Sequence, residues 1–148
     1  MPAPQIEPGQ IYRHRRFYLN TDGEFKAKYF LILTESPGND LVFALLTSRD
    51  TGRPTEPRCF HGNPYPGFYL GIPGNPLSRD TWLDLRSLHE LERSSFNEQG
   101  ENQFIDYVTS LEPGLLIEGL DCAAGADDTT RYQARLILDT RAELANAL

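Results

Sequence analysis

Two apolar segments separated by a short polar stretch dominate the first third of this chain. Residues 29–34 and 41–46 are rich in aromatic and large aliphatic side chains, and between them the Pro37-Gly38 pair suits the centre of a tight turn. The pattern predicts a β-hairpin. Neither segment alternates cleanly with polar residues, so we expect both faces of both strands to be covered, as in the central strands of a sheet.

The residues that bound this hairpin predict a site. Lys28 stands where the first strand begins, and Thr47, Ser48 and Arg49 stand where the second ends. Antiparallel pairing would bring a cation and two hydroxyls to the same end of the sheet. The structural alternative is that Lys28 is a solvated cation and that the two hydroxyls cap the strand end through local hydrogen bonds.

Short strands and turn signals recur through the first 92 residues. Besides the hairpin, we predict strands at residues 10–17, 58–60, 68–72 and 81–85. Ser87 and Glu90 have the spacing of a capping box, which predicts a short helix from Ser87. Many short strands separated by turns favour a small closed barrel, which leaves no long edge exposed.

The final third predicts mostly helix. Residues 97–103 form a polar stretch typical of a loop, residues 104–111 space their apolar side chains as one helical face, and residues 115–124 suit either helix or strand. Thr130 and Gln133 form a second capping box, which predicts a C-terminal helix. Its predicted apolar members are Tyr132, Leu136, Ile137, Leu144 and Leu148. We expect a single domain over residues 1–148, with a core at 9–92 and a mixed, largely helical extension at 93–148.

Composition narrows the class of protein. With 39% hydrophobic residues among 148, the chain has enough apolar material for one core. Its apolar runs fall short of the roughly 18 residues that a membrane span requires. The first residues lack the features of a signal peptide, so we expect a cytoplasmic protein. Cys59 and Cys122 have no CxxC or Cys/His spacing, so we expect two buried thiols, no disulfide framework, no metal and no cofactor.

The charge is unevenly distributed. The formal net charge is −7, which argues against a general nucleic-acid binder. Residues 1–60, however, contain 8 Lys and Arg against 7 Asp and Glu, whereas residues 61–148 contain 6 against 14. The basic residues of the first part flank the hairpin, and they predict either a local positive patch or an ordinary solvated rim. They are Arg13, Arg15, Arg16, Lys26, Lys28, Arg49, Arg53 and Arg58.

The order of these features resembles a known toxin family. A strand led by a basic residue, a short turn and a strand closing in Thr47-Ser48 lie between an upstream Gly9-Gln10-Ile11-Tyr12 and a downstream segment at 80–85. Over about residues 9–92, this order is similar to the MazF/PemK/Kid toxins of toxin–antitoxin modules. Two departures stand out, because Lys28-Tyr29 replaces Arg-Pro and Leu45 replaces a proline.

The resemblance implies a fold, an activity and partners. The fold would be an SH3-like β-barrel of the MazF/CcdB type, with a short helix after residue 85 and a C-terminal helix. The activity would be metal-independent endoribonuclease cleavage of single-stranded RNA, which leaves a cyclic phosphate. The partners would be a cognate antitoxin protein, which neutralises the toxin, and a second copy in a homodimer.

The resemblance also implies roles for single residues. Lys28 would stabilise the negative charge of the reacting phosphate and Thr47 would hold that phosphate, while Glu24 is a candidate base. Lysine lacks the bidentate fork with which arginine grips phosphate, so replacing the family arginine should retune the site. Predicted substrate contacts are Ser48, Arg49, Lys26, His14 and His61. Tyr12, Tyr65, Phe68 and Tyr69 are either base-stacking or core aromatics.

A second class of function stays open on the same fold. The missing Arg-Pro, the acidic balance and the long extension at 93–148 favour a binder without catalysis. Such a protein would be a CcdB-type gyrase poison or an SH3-like peptide-binding module.

Overall fold

The chain folds into seven β-strands and three α-helices in a computed structural model that describes residues 5–19 and 23–148. The strands dominate, so the fold is mainly β with α additions, as the sequence predicts. In chain order the elements are β1 (Gln10–Leu19), β2 (Phe25–Glu35), β3 (Asp40–Thr47), β4 (Cys59–Phe60), β5 (Gly67–Gly71), β6 (Thr81–Glu92), α1 (Arg93–Glu101), β7 (Ile105–Ser110), α2 (Pro113–Ala124) and α3 (Arg131–Ala147).

The seven strands form one antiparallel sheet in the order β4-β5-β6-β3-β2-β1-β7. The predicted hairpin is β2 and β3, and its central position in the sheet is confirmed. Phe30 pairs with Leu45 and Ile32 with Phe43, before a bulge shifts the register toward the turn. In the described part of the chain, no pairing joins the outer strands β4 and β7.

The hairpin turn has the predicted chemistry. Pro37 and Gly38 occupy its centre, and the backbone N–H of Asn39 donates to the Ser36 carbonyl at 2.9 Å. Asn39 has a φ of 68°, a left-handed conformation that asparagine adopts more readily than most residues. The Ser36 hydroxyl accepts the N–H of Asp40 at 3.0 Å, which closes the turn. These local bonds set the register of the two central strands.

Both faces of the hairpin are buried, as the lack of alternation predicts. Leu31 and Leu33 belong to one apolar cluster, which also contains Leu120 of α2 and Ile137 of α3. On the alternate side chains of β2, Phe30 and Ile32 belong to a second cluster, which also contains Phe96 of α1. Helices therefore cover the sheet on two sides, and the ends of its strands remain for a site.

The helix predicted from Ser87 is wrong. Residues 87–92 continue β6, where His89 pairs with Phe43 and Leu91 with Leu41 of the buried strand β3. The register shifts between Phe43 and Leu45, so β6 rejoins β3 after an irregularity. Glu90, the supposed capping partner, instead accepts a hydrogen bond from the Gln133 amide at 3.0 Å. Pairing along the sheet thus overrides a local helix signal.

The assignments for residues 97–103 and 104–111 are also wrong. The polar stretch lies largely within α1, whose Phe96 is buried, and the next segment is β7, which pairs with β1. Ile105 packs in the second cluster, whereas Val108 packs against the first. Three-residue spacing fits one helical face, but it also places side chains on opposite faces of a strand. The edge of β1 that β2 leaves unpaired offers hydrogen bonds to this segment, so the segment forms a strand and not a helix.

The C-terminal helix is confirmed with its capping box. The Thr130 hydroxyl accepts the N–H of Gln133, and the Gln133 side chain accepts the N–H of Thr130, each at 3.0 Å. Of its predicted apolar members, Ile137 is fully buried, whereas Tyr132 and Leu148 are exposed. Residues 115–124, which suited either state, are helical in α2. Among the helices that the structure describes, none combines the length and apolar character needed to cross a bilayer.

The two cysteines correct a further prediction. Cys59 and Cys122 form a disulfide, although the sequence predicts two separate buried thiols. The bond joins β4, a two-residue strand at one end of the sheet, to α2. The two residues lie 63 positions apart, so only the tertiary fold brings their Cα atoms to 5.5 Å.

Candidate functional site

A cleft of about 750 Å³ opens where β2 begins and β3 ends. When the pairing of Phe30 with Leu45 is continued by two residues, Lys28 comes to lie opposite Thr47. The cation and the hydroxyls expected at this end of the sheet therefore share one space. This basic cleft is lined by Lys26, Ala27, Lys28, Tyr29, Leu45, Leu46, Thr47, Ser48, Arg49, Thr51, Arg53, Tyr65, Pro76, Leu77, Ser78, Arg79, Thr81, Asp84 and Arg86.

The charge of this cleft is opposite to that of the whole chain. Six of its lining residues are basic and one, Asp84, is acidic, although the formal net charge of the protein is −7. Like charges on one concave surface produce a local potential that attracts anions. The positive patch that the sequence left open therefore exists, and four of its six described basic residues are among the predicted ones. The basic lining residues are Lys26, Lys28, Arg49, Arg53, Arg79 and Arg86.

A buried ion-pair network forms the floor of the basic cleft. The Arg53 side chain is only 2% exposed, and its Nη2 lies 3.2 Å from Oδ1 of Asp84. Arg86 also binds Asp84, with Nε at 3.0 and 3.1 Å from the two carboxylate oxygens. Burial raises the pKa of Asp84, but the hydrogen bonds and charges of the two arginines outweigh it and hold that pKa below its ordinary value.

Backbone atoms and an aromatic ring complete this network. Arg53 donates to the carbonyls of Pro66 at 3.1 Å and Arg49 at 3.2 Å. A Cβ at Gly67 would lie 2.7 Å from Cδ of Arg53, so only glycine leaves room for this side chain. The guanidinium of Arg53 also lies 5.4 Å from the centre of the Tyr65 ring. These contacts anchor the segment between β3 and β4 against β6.

Four other cations of the basic cleft are not neutralised by a described carboxylate. Lys26, Lys28, Arg49 and Arg79 have no ion pair within residues 5–19 and 23–148. Lys28 is half-buried and the other three are exposed. Their positive charge is therefore available to a ligand.

Thr47 makes the local hydrogen bond that the sequence offered as the structural alternative. Its hydroxyl accepts the backbone N–H of Arg49 at 3.1 Å, which is the local capping alternative. A hydroxyl that accepts one bond retains its own hydrogen for donation. Thr47 can therefore cap the strand and also donate into the basic cleft, where Ser48 is an exposed neighbour.

Three of the predicted site residues do not line the basic cleft. Nε2 of His14 lies 2.6 Å from Oε1 of Gln99 in α1. Glu24 is exposed and lies just before β2. His61 lies beside the disulfide, away from this cleft. The structure thus brings together Lys28, Thr47, Ser48, Arg49 and Lys26 from the predicted set.

The sequence missed several members of the basic cleft. Arg79 and Arg86 were not predicted, and Arg53 was predicted only as part of a positive patch. A usable signal was present in the segment 81–85, because Asp84 interrupts an otherwise largely apolar strand. A carboxylate in a buried strand requires cations or donors nearby. Tyr65 lines the cleft, whereas Tyr12 and Phe68 are core residues.

A second cleft of about 900 Å³ lies beside the disulfide. It contains three acidic residues and one basic residue, so its charge is opposite to that of the first. This sulfur cleft is lined by Thr55, Glu56, Pro57, Arg58, Cys59, Phe68, Tyr69, Glu118, Asp121 and Cys122.

Comparison with known proteins assigns no family, since no family model and no curated protein matches this chain. Membership of the MazF/PemK/Kid family therefore stays a prediction from the order of sequence features. A functional conclusion has to rest on the charge, the hydroxyls and the shape of the basic cleft.

Proposed function

We propose that the basic cleft binds the phosphodiester backbone of single-stranded RNA and that the protein cleaves this RNA without a metal. The observation that carries the proposal is a set of four cations that have no carboxylate partner among the described residues, beside two hydroxyls, in one open cleft of an acidic protein. Proteins hold RNA backbones through Lys, Arg and hydroxyl donors. The volume of the basic cleft, about 750 Å³, lies within the range of ligand pockets. Tyr29 lines the cleft and offers a ring for an unpaired base, whereas the guanidinium groups of Arg53 and Arg86 already lie 5.4 and 5.2 Å from the Tyr65 ring.

Cleavage of RNA requires a base, an acid and donors that stabilise the charge on the phosphate, and we assign each of these roles to a residue. The 2′-hydroxyl attacks the adjacent phosphorus, its proton is removed by a base, and the 5′-oxygen leaves with a proton from an acid. Lys28 would neutralise charge on the phosphate oxygens and protonate the leaving oxygen. Thr47 and Ser48 would donate to the same phosphate. We propose Glu24 as the base, although it lies just before β2 and outside the lining of the basic cleft, so it would have to approach the bound RNA from there.

The finer fold and the partners belong to the same proposal. We propose that the sheet is an SH3-like barrel, an idea supported by one apolar cluster that joins Ile11 of β1 to Phe68 of β5. An antitoxin that neutralises this chain would present acidic residues to the basic cleft, because the lysines and arginines of that cleft carry the complementary charge. A homodimer is part of the resemblance and of this proposal.

A second candidate function is binding without catalysis, as in a CcdB-type gyrase poison or a peptide-binding module. One observation favours it. The described residues that line the basic cleft include no histidine, and their one carboxylate, Asp84, is engaged by Arg53 and Arg86. An acidic peptide or a nucleic-acid backbone would then be held by charge alone.

The deciding experiment is incubation with mixed-sequence single-stranded RNA in EDTA. Fragments ending in a cyclic phosphate, lost in Lys28→Ala and Thr47→Ala, would support the nuclease. A matched control is Arg141→Ala, because Arg141 lies on α3 and pairs with Asp121. Intact RNA that is bound in a salt-dependent manner would favour the second candidate. Neither cleavage nor binding would refute both.

The lysine itself provides a further test of the nuclease. If Lys28 occupies the place of the family arginine, then Lys28→Arg should increase cleavage, since a guanidinium grips phosphate oxygens in pairs. Quantifying the cyclic-phosphate product for wild type and variant measures this. A loss of cleavage similar to that in Lys28→Ala would mean that the amine has a specific role as an acid.

A further inference from the structure

The sulfur cleft is bordered by a cluster of three metal-ligating side chains. Cys59, His61 and Cys122 place one ligand atom each within 4.8 Å of one another. Nε2 of His61 lies 3.4 Å from Sγ of Cys59 and 3.5 Å from Sγ of Cys122. The imidazole therefore touches both sulfurs of the disulfide.

The distances from imidazole to sulfur match those of a metal site. In tetrahedral zinc sites, bond lengths near 2.3 Å for sulfur and 2.0–2.1 Å for nitrogen separate a nitrogen ligand from a sulfur ligand by about 3.6 Å. The two distances from Nε2 of His61 to the sulfurs, 3.4 and 3.5 Å, are thus already near that length. The third distance is that between the two sulfurs, which are bonded here and would have to separate to about 3.8 Å around a metal.

The surrounding structure holds these ligands in place. Cys59 begins β4, Cys122 lies in α2, and His61 follows β4 directly, so two packed elements supply the set. Nε2 of His61 also lies 2.8 Å from the Cys122 carbonyl oxygen. A Cβ at Gly125, just past the end of α2, would lie 3.1 Å from the His61 ring. Glycine at this position leaves room for the imidazole.

Charge and access also suit a cation. The acidic residues in the described lining of the sulfur cleft are Glu56, Glu118 and Asp121, of which Asp121 pairs with Arg141, against Arg58 as the one basic residue there. His61 is exposed, so an ion can reach the cluster from solvent. A negative local potential would raise the concentration of cations there.

We propose that reduction of the Cys59–Cys122 disulfide creates a Cys₂His site for a thiophilic divalent cation such as Zn²⁺. The reductant is a thiol of the glutathione class: two of its molecules supply two electrons and two protons, and they leave as their own disulfide. The metal then binds both sulfurs as thiolates and releases their two protons to solvent.

The imidazole must change its role when the metal binds. In the oxidised protein, Nε2–H donates to the Cys122 carbonyl, whereas a metal requires the lone pair of the same nitrogen. The proton therefore moves to Nδ1 in the metal-bound form. Three protein ligands leave a fourth position for water or another ligand, as in catalytic zinc sites.

The test is Co²⁺ titration of the full-length protein, with Zn²⁺ as the competitor. After reduction with a phosphine, we expect one equivalent of Co²⁺ to give the visible bands of tetrahedral thiolate coordination, and Zn²⁺ to abolish them. The oxidised protein should give no bands. His61→Ala should weaken the affinity by about tenfold or more. His14→Ala, which changes a histidine elsewhere, should leave it unchanged.

Circular dichroism and nitrogen NMR provide two further tests. If the reduced protein loses structure, Zn²⁺ should restore its circular dichroism, because binding of a structural ion contributes to folding. In nitrogen NMR spectra, the His61 signals should change from the Nε2–H to the Nδ1–H tautomer on addition of Zn²⁺. The proposal is overturned if reduced protein binds no Co²⁺, if oxidised protein binds it equally, or if His61→Ala binds as tightly as wild type.

Discussion

The basic cleft and the sulfur cleft are of similar volume, about 750 and 900 Å³, but they have opposite chemistry. The first collects six cations around one carboxylate, and the second collects three carboxylates around one cation. The same segment between β3 and β4 borders both, since Arg53 lines the first and Arg58 the second. A net charge of −7 therefore describes neither surface, and each ligand class must be inferred from local charge.

The two clefts also differ in how their framework is held. A covalent bond between Cys59 and Cys122 secures the sulfur cleft, whereas a buried ion pair between Arg53 and Asp84 secures the basic cleft. The covalent link acts chiefly by restricting the unfolded chain, and the ion pair acts through desolvated charges in the folded chain. Mutations that remove one of these links at a time test whether the two clefts depend on different interactions.

The largest effect on stability should come from the covalent link. Replacing both cysteines, as Cys59→Ser with Cys122→Ser, should lower the free energy of unfolding by about 4 kcal/mol, because the unfolded chain regains a long loop. Urea unfolding of the oxidised proteins measures this difference. Under reducing conditions without metal, wild type and variant should become alike. A difference below about 1 kcal/mol in the oxidised state would remove the contrast between the clefts.

The next effect should come from the buried ion pair. Arg53→Met should lower the free energy of unfolding by about 3 kcal/mol, because the Asp84 carboxylate stays buried, the Arg49 carbonyl loses its side-chain donor and the Pro66 carbonyl keeps only the Leu85 N–H. The matched control is Arg86→Met, since the Arg86 side chain is 54% exposed and binds the same carboxylate. We expect it to cost less than about 1 kcal/mol. If urea unfolding shows the same loss of unfolding free energy in both variants, then burial is not the reason that Arg53 stabilises the fold.

The proposed RNA cleavage should depend on a cation of the basic cleft and not on a cation of the sulfur cleft. Lys28→Ala should lower the rate of RNA cleavage by about 100-fold, because a charge that stabilises the reacting phosphate is lost. Arg58→Ala removes a cation from the sulfur cleft and should leave this rate within about twofold, since Arg58 lies outside the proposed site. Initial rates of cyclic-phosphate formation decide the matter. A similar loss in both variants would indicate general attraction of RNA.

The smallest effect lies outside both clefts, at His89. Burial holds the pKa of His89 below its ordinary value, and its ring stacks on Phe43 at 5.4 Å between centres. Below about pH 6.5 the unfolded chain therefore binds a proton that the folded chain resists, so stability falls as the pH is lowered. Asp84 and Glu35, whose pKa values are lowered, begin to lose their contribution only below about pH 5.

Removal of this titrating ring tests the sign of the effect. His89→Leu should flatten the dependence of unfolding free energy on pH between about pH 7 and 5, where wild type should lose no more than about 1.4 kcal/mol per pH unit. Urea unfolding at several pH values measures both slopes. An identical slope in the variant would place the pH dependence elsewhere.

The extent of correct prediction follows from how local each signal is. The hairpin of β2 and β3, its turn at Pro37-Gly38 and the capping box at Thr130 and Gln133 are specified by neighbouring residues, and all three are present. Two of the failures, at 87–92 and at 104–111, are segments whose partner strands lie far away in the chain. Their helical spacing was real, but hydrogen bonding to an open strand edge outweighed it.

By itself, the sequence determined that the cation and hydroxyls at the hairpin's open end would meet, because antiparallel pairing of adjacent strands leaves little choice. Only the tertiary structure decided what surrounds them. Arg79 and Arg86 reach the basic cleft from elements distant in sequence, and Cys122 reaches Cys59 across 63 positions. The physical reason is that charge pairing and sulfur bonding depend on distance in space, which sequence separation does not reveal until the sheet and helices have packed.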